Sequence, residues 1–167
     1  GVDLVQAQIR LAFGASLGEL GLDSPPPVSG FAVQARVNLE TLRPDGTPVP
    51  CAGRLTAYAP PSGPNVRVDG YGYAGYTTSL RYDSLLAKVV TRGRSFSGAV
   101  TNLANALREF HIGGVPTNIP LLLSILKHPA AASGEFDTSF VGENLAGFLA
   151  EAEHHATLAP PESALVE

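Results

Sequence analysis

One short segment of this chain carries polar side chains at a spacing that could do chemistry. In ARVNLE, Arg36, Asn38 and Glu40 alternate with apolar residues, and side chains two residues apart project from the same face of a β-strand. A guanidinium held by such neighbours is a permanently charged fork of donors, which suits stabilising negative charge that develops on a substrate oxygen. The alternative is a solvated strand arginine that pairs with Glu40.

The other polar and nucleophilic side chains favour structural roles. His154 and His155 are adjacent, so on a helix they point about 100° apart and cannot ligate one metal as an i, i+4 pair would. His111 and His128 follow predicted helix ends, where the helix dipole favours a cation, and Cys51 lies in a Pro/Gly loop with no neighbouring base in sequence. A second polar cluster is typical of a rim of surface ion pairs and consists of Arg67, Asp69, Arg81 and Asp83.

The strand that would position Arg36 is the clearest β pattern in the chain. Its apolar face alternates with a mostly polar one and comprises Phe31, Val33, Ala35, Val37 and Leu39, as expected for a half-buried strand. Gly and Pro clusters separate further short β-rich runs at 54–58, 66–69 and 85–91. We therefore predict a predominantly antiparallel sheet.

Helical periodicity flanks this β-rich region. It predicts helices at 2–13, from 95 to 110, from about 118 onwards and from about 143 to 154. Thr117 or Asn118 is the expected N-cap of the third helix, with Pro120 tolerated in its first turn. The prolines of LDSPPPVSG, 22–30, predict an extended linker, and 156–167 is either a tether to another domain or a frayed terminus.

Composition sets the remaining bounds. The chain has 167 residues, 44% of them apolar, which is enough for one domain with tails. The net charge of −4 does not indicate a nucleic-acid or anionic-membrane partner, and the apolar run 119–126 is too short to span a bilayer. A single cysteine favours a reducing, cytoplasmic setting. Because the chain contains no Met, we expect a fragment of a longer polypeptide.

Several segments, in order along the chain, carry a family resemblance. They are GVDLVQAQIRLAFG at the start, R-x-N-x-E at 36–40, PPSGPNVRVDGYGYAGYTTSLRYDSLLAKVV at 60–90, GVPTNIPLLLSILKHP and GEFDTSFVGENL. Together they resemble the C-terminal portion of biotin carboxylase, the ATP-dependent component of biotin-dependent carboxylases. The sequence of these segments is most similar to that of large single-chain acyl-CoA carboxylases. It departs from the family at Thr41-Leu42, where many relatives have Asp-Pro, and at Phe31 and Ala35, where they often have His and Cys.

The resemblance implies a fold, a reaction and site residues. The fold would be α+β, a mainly antiparallel sheet of the rudimentary barrel-sandwich type with flanking helices. The reaction would be ATP-driven carboxylation of carrier-bound biotin by bicarbonate, through carboxyphosphate. Arg36 would bind biotin and stabilise its enolate, with Asn38 and Glu40 in support. An interface role, in a homodimer, would fall to Arg67, Asp69 and Asp83.

The resemblance also implies that other domains bind the nucleotide and carry out the remaining steps. ATP and magnesium would be bound by an ATP-grasp domain outside this chain, which has no G-x-x-x-x-G-K-[ST] segment. Its Gly-rich run from Gly70 to Gly75 has the spacing G-x-G-x-x-G but lies between strand-like segments rather than before a helix, which is typical of a turn, so the isolated fragment should be inactive. Biotinyl carrier and carboxyltransferase domains would be the other partners, and the final acceptor, acyl-CoA, pyruvate or urea, stays open. The predicted domains are the last helix of the ATP-grasp domain (1–21), a linker (22–30), the C-terminal subdomain (31–155) and a tail (156–167).

Two other functions fit the sequence to different degrees. A biotinyl carrier presents its modified lysine between methionines, whereas neither Lys88 nor Lys127 has a Met beside it, which argues against that function. A non-catalytic module that joins the domains of a multidomain carboxylase stays open as the alternative.

Overall fold

A three-stranded antiparallel sheet lies at the centre of the computed structural model, which describes residues 2–158 and the side chains of 2–153. The strands are β1 (Phe31–Asn38), β2 (Glu40–Leu42), β3 (Pro48–Pro50), β4 (Ala57–Ala59), β5 (Val66–Gly70), β6 (Leu85–Gly93) and β7 (His111–Gly113). In the central sheet β6 lies between β1 and β5, and two-stranded antiparallel pairs are formed by β2 with β3 and by β4 with β7.

Two helices, α2 (Phe96–Glu109) and α3 (Ile119–Lys127), pack against this sheet. The other helices are α1 (Leu4–Ala12), α4 (Pro129–Ser133), α5 (Phe140–Glu143) and α6 (Leu145–Leu158). The hydroxyl of Ser95 caps α2 by accepting from the backbone N–H of Gly98 at 3.1 Å. The predicted α+β class with an antiparallel sheet is confirmed, and within residues 2–158 the strands do not close into a barrel.

The main core forms where α2 and α3 pack on the inner face of β1 and β6. Alternate residues of β1 point into it as predicted, and Val37 is fully buried. The buried members of this core are Ala35, Val37, Ala87, Val89, Leu103, Ala104, Ala106, Leu107, Phe110 and Leu123. Because one face of β1 is buried, its other face must be the outer surface of the sheet.

Several boundaries differ from the sequence prediction. The run at 54–58 is a strand only at Ala57–Ala59, because Arg54 makes just an isolated bridge to Thr77. The last helix, α6, begins at Leu145 after the separate short α5. The predicted first helix is present, but none of the side chains of α1 is buried.

Parts of the sequence prediction fall on residues with little or no description. The tail at 156–167 is described only as helical backbone up to Leu158, and the side chains of His154 and His155 lie outside the described residues. Over the described part of the chain, no helix combines the length and the apolar character needed to cross a membrane.

Candidate functional site

Arg36 stands on the outer face of the central sheet, in a row that crosses all three strands. It lies opposite Lys88 on β6, and Lys88 lies opposite Asp69 on β5. The Lys88 ammonium is 3.8 Å from the Asp69 carboxylate, and the Arg36 side chain is 51% exposed. The residue singled out from the sequence is thus a solvent-accessible cation on a rigid sheet.

The ion-pair partner of Arg36 is Asp83. One nitrogen, Nη2, is 3.3 Å from Asp83 Oδ2, and Asp83 Oδ1 accepts from the backbone N–H of Leu85 at 3.2 Å. The alternative in which Arg36 pairs with Glu40 is therefore wrong. Since both partners are more than half exposed, the pair contributes little to stability. It orients the guanidinium and leaves further N–H groups for a ligand.

Glu40 is not that partner because its side chain is buried. The register between β1 and β6 shifts between Val37 and Asn38, and the extra residue of this β-bulge is Leu86 on β6. Burial alternates along β1, and Glu40 departs from that pattern. The prediction that Arg36, Asn38 and Glu40 form one polar face therefore fails at Glu40.

Buried Glu40 organises the neighbouring turn instead. Its carboxylate accepts from Asn38 Nδ2 at 3.2 Å and from the hydroxyl of Ser84 at 3.1 Å. Ser84 follows Asp83 directly, and its carbonyl accepts from Leu39 N–H at 2.8 Å. The hydrogen bonds of Asn38 and Glu40 thus stabilise the turn that carries Asp83, the partner of Arg36. The sequence did not indicate this arrangement.

Asn118 is a residue of this site that sequence reasoning placed elsewhere. It occupies the expected N-cap position of α3, yet its side chain makes no capping bond to that helix in the described structure. Its amide instead donates to the carbonyl of Arg36 at 3.1 Å and accepts from the N–H of Asn38 at 2.9 Å. An asparagine can serve equally as a cap or as a backbone clamp, so nothing in the local sequence distinguished the two.

The predicted interface residues divide between two places. Arg67 Nε is 2.8 Å from Asp69 Oδ1 on β5, and this hydrogen bond holds the pKa of the Asp69 carboxyl below its ordinary value. Asp83 lies beside Arg36, and burial, followed by the nearby Tyr76 and Asp83, raises the pKa of Tyr71. Because Lys88 links Asp69 to the row of Arg36, the two predicted clusters occupy one face of the sheet.

The side chains assigned structural roles have structural surroundings. His128 Nδ1 accepts from Ala130 N–H at 3.2 Å and its ring packs against Phe140 and Phe148. Cys51 is a free thiol in a loop. Among the side chains of residues 2–153, no group of three or more His, Cys, Asp or Glu is placed to hold a metal ion.

A cleft of about 550 Å³ lies behind the bulge, between β2 and α6. Glu40 and Asn118 both line it, together with mostly apolar residues such as Leu42, Pro116 and Leu149. Glu40 and Asn118 thus border a cleft that solvent can enter.

Comparison with known proteins agrees with this architecture. Residues 34–143 match the family described as Biotin carboxylase C-terminal domain. The chain is 43% identical over 145 residues to pyruvate carboxylase of Pichia angusta and 39% identical over 141 residues to biotin carboxylase 1 of Bacillus subtilis strain 168, which cover 86% and 84% of it. The chain belongs to the biotin carboxylase C-terminal domain family.

Solved structures give the same result. A single-chain, multi-domain long-chain acyl-CoA carboxylase superimposes with a TM-score of 0.84 at 39% identity, covering 97% of this chain and 17% of its own. The biotin carboxylase domain dimer of 2-oxoglutarate carboxylase from Hydrogenobacter thermophilus, in complex with MgADP, ADP and bicarbonate, superimposes with a TM-score of 0.76 at 32% identity, covering 89% of this chain and 32% of its own. The chain spans only 12% of the yeast pyruvate carboxylase and 30% of the bacterial biotin carboxylase.

Proposed function

We propose that this chain is the part of a biotin carboxylase that presents Arg36 to carrier-bound biotin during ATP-dependent carboxylation by bicarbonate. The observation that carries the proposal is the position of Arg36 within the matched residues, on the exposed face of a packed sheet and tied to Asp83 by one nitrogen. The final acceptor, acyl-CoA, pyruvate or urea, would be chosen by a separate carboxyltransferase. A reducing compartment such as the cytoplasm, inferred from the single cysteine, belongs to the same proposal.

The geometry suits stabilisation of an oxyanion. Removing the ureido proton of the biotin substrate shifts negative charge onto the ureido oxygen, and a cation already in place there stabilises that charge without reorganisation. A guanidinium keeps its charge at any physiological pH and has several N–H donors in a plane. Because Asp83 engages Nη2 alone in the described structure, the other N–H groups of the fork are available to donate to the substrate oxygen.

Asn38 gives a second, independent reason to expect that a group outside the described residues contacts this site. Its Oδ1 is buried and has no hydrogen-bond donor among them, and an unsatisfied buried acceptor costs about 1–3 kcal/mol. A donor from a bound substrate or from an adjoining domain would remove that penalty. A buried acceptor without a donor, two residues from Arg36, supports a site that is completed by another part of the carboxylase.

ATP and magnesium would be held by an ATP-grasp domain in the same polypeptide. In this proposal 1–21 belongs to that domain, 22–30 is the linker, 31–155 is the C-terminal subdomain, and 156–167 leads on to the rest of the carboxylase. Exposed apolar side chains on α1 support the first assignment, since such a face is normally covered; they include Leu4, Val5 and Ile9. The same surface would serve the alternative function, a non-catalytic module that joins carboxylase domains.

We expect the isolated chain to fold but to bind Mg-ATP no more tightly than millimolar and not to hydrolyse it. The reason is that it has no G-x-x-x-x-G-K-[ST] segment, and that its Gly-rich run at 70–75 lies between β5 and β6 instead of opening a helix. Calorimetry with Mg-ATP and a bicarbonate-dependent ATPase assay test this, with the complete carboxylase as the positive control. Micromolar binding or turnover by residues 1–167 would contradict the assignment of the nucleotide site to another domain.

We further propose that the outer face of β5 contributes to a two-fold interface, and we expect weak, concentration-dependent self-association of the chain. Arg67 and Asp69 already pair with each other, and exposed ion pairs add little, so apolar neighbours must supply most of the affinity. Arg67→Glu places two negative charges side by side and should weaken the association further.

Sedimentation over a range of concentrations is the measurement for this interface. Arg108→Glu is the matched control, because Arg108 is an exposed arginine on α2 that bonds Asn105 at 3.0 Å. A strictly monomeric chain at high micromolar concentration, or a dimer insensitive to Arg67→Glu, would remove this face from the interface.

A further inference from the structure

Asn118 makes an unusual set of contacts for a residue at the start of a helix. Its side chain is 8% exposed in a pocket between α3 and β1. The amide uses both its donor and its acceptor on β1, at the carbonyl of Arg36 and the N–H of Asn38, and its own backbone N–H donates to the carbonyl of Asn38 at 3.1 Å. All of these bonds go to the strand and none of the side-chain bonds caps α3 in the described structure.

The bonded groups belong to the free edge of the central sheet. β1 is an edge strand with β6 on its other side, and the outward backbone groups of an edge strand have no ladder partner. The register shift at Val37 and Asn38 falls between the residues that Asn118 holds. Without the clamp, the backbone of Arg36 would be free to move at the very place where its pairing with β6 becomes irregular.

We propose that Asn118 is a positioning residue for the carboxylation reaction, which fixes the edge of β1 so that the Arg36 guanidinium stays where the substrate oxygen must lie. This inference rests on the proposed role of Arg36. Asp83 orients the guanidinium at its tip, whereas Asn118 fixes the main chain from which it projects. A misplacement of about 1 Å at a catalytic group can lower a rate by about 100-fold.

An amide is the side chain that this position requires. Asn118→Asp keeps the acceptor for Asn38 N–H but turns a second acceptor toward the carbonyl of Arg36, where a donor is needed. Asn118→Ser shortens the side chain so that it reaches neither group. Because Asn118 lines the solvent-accessible cleft, water can enter in its place and limit the loss of stability.

The test is a double-mutant cycle in the complete carboxylase. We expect Asn118→Asp and Asn118→Ser each to lower kcat for biotin carboxylation by about 10- to 100-fold. Placed in an Arg36→Ala background, the same substitutions should cause no further loss, because residues that act through one another are not additive. Asn102→Asp is the matched control, since its amide donates to the carbonyl of Arg92 on β6 at 2.9 Å, and it should leave kcat unchanged.

Each outcome is decisive. Losses that multiply in the double variants, or a thermal midpoint that falls enough to account for the loss of rate, would make Asn118 a residue of general structural importance and overturn the inference. Unchanged kcat in both single variants would overturn it as well. If Arg36→Ala itself keeps full activity, the proposed function fails first, and that result is visible without any Asn118 variant. If Asn118→Asp does not fold, Asn118→Ser carries the comparison.

Discussion

Arg36→Ala, introduced into the complete carboxylase, should lower biotin carboxylation by about 10²- to 10³-fold. This is the effect of losing one preorganised donor to an oxyanion, about 3–4 kcal/mol of transition-state stabilisation. The side chain is half exposed and its ion pair with Asp83 is a surface contact, so the free energy of unfolding should hardly change. Incorporation of labelled bicarbonate into biotin, measured beside the thermal midpoint, separates the two effects.

Two further variants sharpen this experiment. Arg36→Lys retains the charge but loses the planar fork, and should therefore lie between wild type and Arg36→Ala. Arg108→Ala removes an exposed arginine that bonds a neighbouring side chain on α2 and should leave the rate unchanged. Full activity of Arg36→Ala, or a fall in thermal midpoint that explains its loss, would assign Arg36 a structural role instead.

Gly114→Ala should destabilise the fold by about 3 kcal/mol or more, a large effect for a single methyl group. The residue has φ of +86°, and an added Cβ would lie 2.2 Å from the carbonyl oxygen of Arg54 and 2.9 Å from the N–H nitrogen of Thr56. These are backbone atoms and cannot turn aside as a flexible side chain could. Since Gly114 directly follows β7 and leads into the segment that carries Asn118, the damage should reach the β1 edge.

The midpoint of thermal unfolding measures this loss. For a chain of this size a loss of about 3 kcal/mol lowers it by roughly 6–12 °C. Gly75→Ala is the matched control, because Gly75 also has positive φ, +93°, but its added Cβ would meet only the Arg54 guanidinium at an ordinary 3.8 Å. The Gly75→Ala variant should be destabilised only by the strain of its backbone conformation, about 1 kcal/mol. Equal losses of stability in the two variants would show that the backbone near Gly114 shifts to accommodate the added Cβ. That result would contradict the prediction.

Much of the scaffold followed from local sequence pattern. The alternation along β1 and the helical period of α2, with Ser95 as its cap, reflect side-chain burial and capping that depend on residues close in sequence. The first and last residues of the elements were predicted less accurately. Arg54 lies outside β4, because pairing with β7 begins only at Ala57, and the partner of a strand is chosen by the whole fold rather than by the strand itself.

The sequence by itself determined the α+β class and the exposed face of β1, since periodicity is enough for each, and its family resemblance led to the choice of Arg36 as a candidate. Only the tertiary structure decided what surrounds that arginine. Asp83 is 47 residues away and Asn118 is 80 residues from its partner Asn38, and the buried carboxylate of Glu40 accepts from Ser84, 44 residues away. Contacts at such separation depend on how strands and helices pack together, and alternation along one strand carries no information about them.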